Sequence, residues 1–168
     1  MQLTGKQIVA EGIITNIDLD NAVQQQGVDL RVIQVNRVVG KGRIPKKGKT
    51  YLPSYEKVAL KEAEEDSEVF YWDLEPGYYE IIFAEGCKMP NNRAMTFVQR
   101  SSLLRSGVII RSSQFDAGFE TEHMGTFMQV FNPVEIEYGA RVAQTLVMET
   151  AEVENIYNGQ FQKDCQRT

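Results

Sequence analysis

Apolar positions in this chain come in short runs, broken repeatedly by Gly, Pro, Asn and acidic pairs. That rhythm predicts strands joined by turns rather than long helices. Residues 28–35 alternate, with Val28, Leu30 and Val32 on one face and Asp29, Arg31 and Ile33 on the other. An acid on a strand is disfavoured by propensity, so Asp29 needs a partner or a role. Residues 13–17, 69–74, 78–84, 95–99, 108–110, 127–131 and 134–137 read as further strands. Glu75-Pro76-Gly77 and Asn132-Pro133 read as turns, and Gly139 opens a last strand. Residues 3–11 read as a short helix capped by Thr4 and ended by Gly12, and Ser101 to Arg105 as a helical turn. About ten short strands with one or two small helices predict an all-β, mainly antiparallel sandwich or barrel; a βαβ sheet would need helices between the strands.

Composition narrows the setting. At 168 residues the chain is expected to form one domain spanning 1–168, with 155–168 as a tail. A net charge of −5 gives no electrostatic footprint for nucleic acid, so positive charge for an anionic ligand must be concentrated locally. The basic stretch at 36–49 (Arg37, Lys41, Arg43, Lys46, Lys47, Lys49) reads as a solvated hairpin or loop, since no aromatic is interleaved for base stacking. Glu62, Glu64, Glu65, Asp66 and Glu68 read as an exposed loop. Cys87 and Cys165 show no metal spacing, and His123 is the lone histidine. With no apolar run of membrane length and no signal peptide, a cytoplasmic protein with no membrane partner is expected.

The candidate chemistry lies between Asn92 and Gln144. Arg100-Ser101-Ser102-Leu103-Leu104-Arg105 offers two guanidiniums and two hydroxyls, donors suited to phosphate oxygens. Phe115-Asp116-Ala117-Gly118-Phe119 holds a carboxylate in a turn-like setting, and Gly139-Ala140-Arg141-Val142-Ala143-Gln144 adds an arginine and an amide. Together they point to a polyphosphate substrate with a carboxylate working beside it.

In this order the pieces resemble the dUTPase and dCTP deaminase superfamily of trimeric, jelly-roll-like enzymes. Gly27-Val28-Asp29-Leu30 resembles the first dUTPase motif; the segments at Arg100, Phe115 and Gly139 resemble the second to fourth. The opening helix, Pro76-Gly77, Arg105 and the tail Tyr157-Asn158-Gly159-Gln160 resemble the deaminase branch. The glycine-rich fifth dUTPase motif is absent, and Glu120 to Met124 looks inserted. Deaminases of this family carry a glutamate where Gln129 falls, and glutamine cannot shuttle the proton that water attack on a cytosine ring requires.

The resemblance therefore implies a dUTP diphosphatase in which Asp116 activates water for attack on the α-phosphorus. Arg100, Ser101, Ser102, Arg105 and Gln144 would hold the phosphates, and Phe119 would pack on the deoxyribose. Main-chain groups of Phe127, Met128 and Gln129 would read the uracil, Tyr157 and Gln160 would cover the site, and Asp29 and Arg141 would support it. Mg²⁺ would be held mainly by substrate oxygens and water. A homotrimer with sites between subunits is implied. The alternatives are a dCTP deaminase, a bifunctional deaminase–diphosphatase, and a regulatory protein that binds dUTP without turnover.

Overall fold

The computed structural model describes residues 1–64 and 68–159. The chain opens with helix α1 (Gly5–Ala10). Thr4 caps it by accepting from the Gln7 N–H at 3.3 Å, while the Gln7 side chain accepts from the Thr4 N–H at 2.9 Å. Gly12, at φ +64°, turns the chain out of the helix. Strands β1 (Ile14–Thr15), β2 (Asp29–Val39), β3 (Ser54–Lys57), β4 (Lys61–Glu62), β5 (Phe70–Leu74), β6 (Gly77–Phe83), β7 (Gly86–Lys88) and β8 (Arg93–Gln99) follow. Helix α2 (Ser101–Arg105) then precedes β9 (Val108–Arg111), β10 (Glu120–Thr121), β11 (Gly125–Val130), β12 (Val134–Glu137) and β13 (Arg141–Glu149).

The main sheet runs β8-β13-β2-β6-β11-β9, with β3 pairing the far half of β2, and every pairing is antiparallel. It curls until its ends nearly meet. The Phe97 N–H on β8 donates to Ser112 Oγ, just past β9, at 3.1 Å. The result is the expected all-β fold with a barrel-like sheet. Leu30, Val32, Phe83, Met95, Met128 and Val147 fill its interior, each no more than 1% exposed. Two small sheets, β1-β7-β10 and β12-β5-β4, are built beside it. Among the described residues no helix is long and apolar enough to cross a membrane.

Three expectations change. The simple alternation over 28–35 fails because a register shift between Val32 and Gln34 changes the phase, so that Val35 and Asn36 are buried; Asp29, upstream of the shift, is buried separately where it pairs with β13. The strand expected at 13–17 shrinks to β1. The stretch 120–124 is not a detachable insertion: it supplies β10, and the fully buried Met124 donates its N–H to the Glu85 carbonyl at 2.8 Å. The basic segment leaves β2 as an exposed ribbon in which Arg43 and Tyr51 exchange both backbone hydrogen bonds, at 2.8 and 2.9 Å. Glu65 and Asp66 of the acidic stretch, and Gln160 and Cys165 in the tail, lie outside the described residues.

The turn between β6 and β7 is held by a buried charge. Glu85, fully buried, accepts from Arg31 Nε at 2.7 Å and from the Arg31 N–H at 2.8 Å. Arg31 Nη2 in turn donates to the Asn16 carbonyl at 2.7 Å. Nδ1 of His123 lies 3.2 and 3.3 Å from the carbonyls of Phe83 and Ala84; both are acceptors, so that nitrogen carries the proton. Glu85→Ala strips the arginine of its partner and empties a buried site. It should lower stability by about 3 kcal/mol, read as a fall in the urea midpoint at unchanged slope.

Candidate active site

The first cluster is set by a close crossing. Gly27 lies so near β13 that a Cβ there would sit 2.1 Å from the Thr145 carbonyl oxygen, a contact no side chain tolerates. The crossing is locked by Val28 N–H to Thr145 Oγ1 and Thr145 N–H to Val28 O, both at 2.9 Å. Asp29, the next residue, falls opposite Gln144 in the ladder and is 2% exposed. Its Oδ1 accepts from Gln144 Nε2 at 3.2 Å. Its Oδ2 lies 3.6 Å from Arg100 Nε and 3.5 Å from Arg141 Nη1. Arg100 is fixed as β8 ends, its N–H donating to the Val142 carbonyl at 3.0 Å and its Nη1 to the Arg141 carbonyl at 3.2 Å. Arg141 also donates to the Asn21 carbonyl. Burial pushes the Asp29 carboxyl above the usual carboxylate range, and Arg100, Arg141 and Gln144 offset only part of that.

A cavity of about 250 Å³ opens over this cluster, lined by Gln24, Asp29, Val98, Gln99, Arg100, Ser101 and Gln144. Sequence reasoning named Asp29, Arg100, Ser101 and Gln144 but missed Gln24 and Gln99; the sequence neighbourhood of Gly27 and Arg100 was the available signal. Ser101, Ser102 and Arg105 are exposed on α2. The Arg105 side chain makes no hydrogen bond or ion pair with any described residue. Two guanidiniums against one carboxylate, with hydroxyl and amide donors at the rim, suit an anion.

Asp116 belongs to a second place. It is exposed on the loop after β9, and its Oδ1 accepts from Gln114 Nε2 at 2.9 Å. Phe115 beside it bridges Met95, five positions before Arg100 on the same strand direction. At about 3.3 Å per residue, Met95 lies roughly 16 Å along β8 from Arg100, so the Asp116 loop and Arg100 sit towards opposite ends of that strand within one chain. Phe119 is 7% exposed, packed edge-on by Phe115 at 5.3 Å and by Tyr157 at 5.4 Å. The Tyr157 N–H donates to the Ala117 carbonyl at 2.8 Å. In this conformation Tyr157 therefore covers the ring that was expected to meet a sugar.

The outer region differs as well. Phe127, Met128 and Gln129 on β11 are paired with β6 on one side and β9 on the other. Their main-chain groups are paired in two ladders, so any main-chain contact to a base edge would have to use the carbonyls' second lone pairs. Phe127 stacks on Tyr78 at 5.5 Å, Met128 points into the core, and the Gln129 side chain is exposed. Among the described residues no group of three or more His, Cys, Asp or Glu is placed to hold a metal ion.

Comparison with known proteins adds a second line. Residues 3–150 match the dCTP deaminase-like family. The deoxyuridine 5'-triphosphate nucleotidohydrolase of Methanocaldococcus jannaschii is 36% identical over 143 residues, covering 83% of this chain and 86% of that protein. A probable deoxyuridine 5'-triphosphate nucleotidohydrolase of Halobacterium salinarum is also 36% identical, over 145 residues and 86% of each chain. The crystal structure of a 2'-deoxycytidine 5'-triphosphate deaminase from Agrobacterium tumefaciens superposes with a TM-score of 0.64 at 16% identity. It covers 89% of this chain, while this chain spans 49% of that one, and the likeness is one of fold.

The buried Asp29 makes stability pH-dependent in a fixed sense. Its folded value is raised above the ordinary 3.8, so the stability it contributes is fully present below that value and is lost as pH rises through the folded value. Urea unfolding of the wild type and Asp29→Asn from about pH 3.5 to about pH 7 should show the wild type's margin over the variant shrinking as pH rises. A margin that is flat, or that grows, contradicts the assignment.

Proposed function

The chain belongs to the dCTP deaminase-like family, and we propose that within it the protein is a dUTP diphosphatase, releasing dUMP and pyrophosphate. The observation that carries the reading is the pairing of an exposed Asp116 with Gln129 on β11, where deamination would require an acid. The relatives at 36% identity that bear the dUTP nucleotidohydrolase name support it.

Asp116 orients a water and takes its proton as the water oxygen bonds to the α-phosphorus. The bond from that phosphorus to the bridging oxygen breaks, and pyrophosphate leaves with the electron pair. Arg100, Ser101, Ser102, Arg105 and Gln144 hold the phosphate chain and offset its growing charge. Asp29 and Arg141 keep Arg100 and Gln144 in place. Mg²⁺ would be held mainly by substrate oxygens and water and would screen the phosphate charge; the exposed hydroxyls of Ser101 and Ser102 are the hard oxygens this chain could add. For Phe119 to meet the deoxyribose, Tyr157 must swing off its ring. Gln160 would extend the same cover.

The Asp116 loop is seated at Met95 and Arg100 stands at the end of β8, so on one chain the acid and the phosphate donors are spread along a strand. A second copy supplying one of the two would bring them together. A homotrimer with composite sites is the form of assembly this reading takes.

The deciding assay supplies dUTP or dCTP with Mg²⁺ and resolves dUMP, pyrophosphate and ammonia. Pyrophosphate from dUTP with no ammonia from dCTP is expected. Ammonia at a comparable rate would replace the reading with a bifunctional deaminase, and the absence of both products with a nucleotide-binding regulator. Asp116→Asn should lower turnover by about a hundredfold or more with nucleotide affinity retained.

Arg105→Ala should weaken dUTP binding more than dUMP binding, because this guanidinium serves the outer phosphates, which dUMP does not carry. At dUTP concentrations too low to saturate Arg105→Ala, refolding Asp116→Asn chains together with Arg105→Ala chains should give more activity than the sum of the two variants alone. No recovery in mixed assemblies would place both residues in one chain's site.

A further inference from the structure

We propose that Gln114 is a positioning residue for Asp116: its side-chain amide fixes the rotation of the carboxylate so that one oxygen is left facing the attacking water. The inference rests on the reading of Asp116 as the base. Its starting point is the backbone. Phe115 and Met95 exchange both backbone hydrogen bonds, Phe115 N–H to Met95 O at 2.7 Å and Met95 N–H to Phe115 O at 3.1 Å. The Phe115 ring is buried, 4.8 Å from Phe97 and 5.3 Å from Phe119. With Phe115 held facing the core, the period of two sends Gln114 and Asp116 to the opposite, solvent side as same-face neighbours.

Downstream the loop is also fixed. The Phe119 N–H donates to the Asp116 carbonyl at 3.1 Å and the Gly118 N–H to the Met89 carbonyl at 3.0 Å. Gly118 holds φ +81°, a conformation that other residues reach only with strain. The main chain at Asp116 is therefore determined on both sides, and what stays free in an exposed aspartate is the broad terminal torsion of the carboxylate. Gln114 removes that freedom, donating from Nε2 to Oδ1 at 2.9 Å. The amide orientation follows from chemistry, since a carboxylate only accepts. Oδ2 is left to a water.

Both side chains are exposed, so the bond adds little to folding. That separates positioning from a structural role. In the full-length protein Gln114→Ala should lower kcat for dUTP about five- to tenfold, with KM within about twofold and the thermal midpoint within about 2 °C of wild type. Gln114→Glu, the same shape without the donor, should lose at least as much kcat, and it reads the same point if the alanine variant folds poorly. An unchanged kcat in both variants overturns the proposal. So does a rise in KM at constant kcat, which would put Gln114 on the substrate, or a fall in kcat matched by a large fall in thermal midpoint. Asp116→Asn at wild-type rate would instead remove the base itself; an inactive Asp116→Asn beside fully active Gln114 variants removes only Gln114.

Discussion

The site hangs on one carboxylate taken out of water. Asp29 is 2% exposed, and a buried charge is tolerated only where it is paired and hydrogen-bonded. Its partners come from distant parts of the chain: Arg100 where β8 ends, Arg141 and Gln144 where β13 begins. Removing any one partner leaves part of that charge uncompensated, so the carboxylate holds three segments in one place. The same groups face the cavity. Asp29 cancels one of two guanidinium charges and holds both, leaving a moderately positive rim. An acid at the back of an anion site thus orders the donors that would otherwise repel one another.

Much of this was legible in the residues. The capped opening helix, the turn at Pro76-Gly77, α2 and β12 are local events, each set by a cap, a proline or a short apolar pattern. The short strands β3, β4, β7 and β10 were not legible, because their segments carry no apolar run or alternation and form only where a neighbour arrives to pair with them. The shift in β2 was hidden for the same reason: a bulge is a property of a strand pair. In the site, the residue types that bind phosphate could be named from the sequence. That Gln24 and Gln99 join them, or that Gln114 turns toward Asp116, depends on crossings between segments that no spacing reveals.

The tail shows how one contact changes meaning with state. Phe83, Phe97, Phe115, Phe119 and Tyr157 form a continuous series of ring contacts from the barrel interior to the tail segment at Tyr157. Ile156 lies over Gly118, where an added Cβ would meet its Cβ at 2.5 Å. The tail is therefore seated on the Asp116 loop by backbone, apolar and aromatic contacts together. An exposed Phe119 would cost apolar burial in the absence of a ligand. Tyr157 supplies that burial, and a sugar that replaced it would inherit the same surface.

A barrel of this kind separates its chemistry along a strand. β8 carries Met95, which seats the Asp116 loop, at one point and delivers Arg100 at its end, so its length sets the distance between acid and phosphate donors. Shortening that distance within one chain would require breaking the ladder that buries Met95 and Phe97. Each chain is better described as carrying two half-sites at a fixed separation. On the proposed composite site, catalysis would depend on how copies are placed, and a substitution far from either cluster would alter turnover by shifting that placement while leaving the folded chain intact. The separation also bears on which bond is cut. Under the proposed assembly, an acid held away from the fixed donors would act on the part of a nucleotide that a neighbouring copy presents to it. On the proposed reading, with Gln129 unable to move a proton at the base, the α-phosphorus would be the reacting centre left to Asp116.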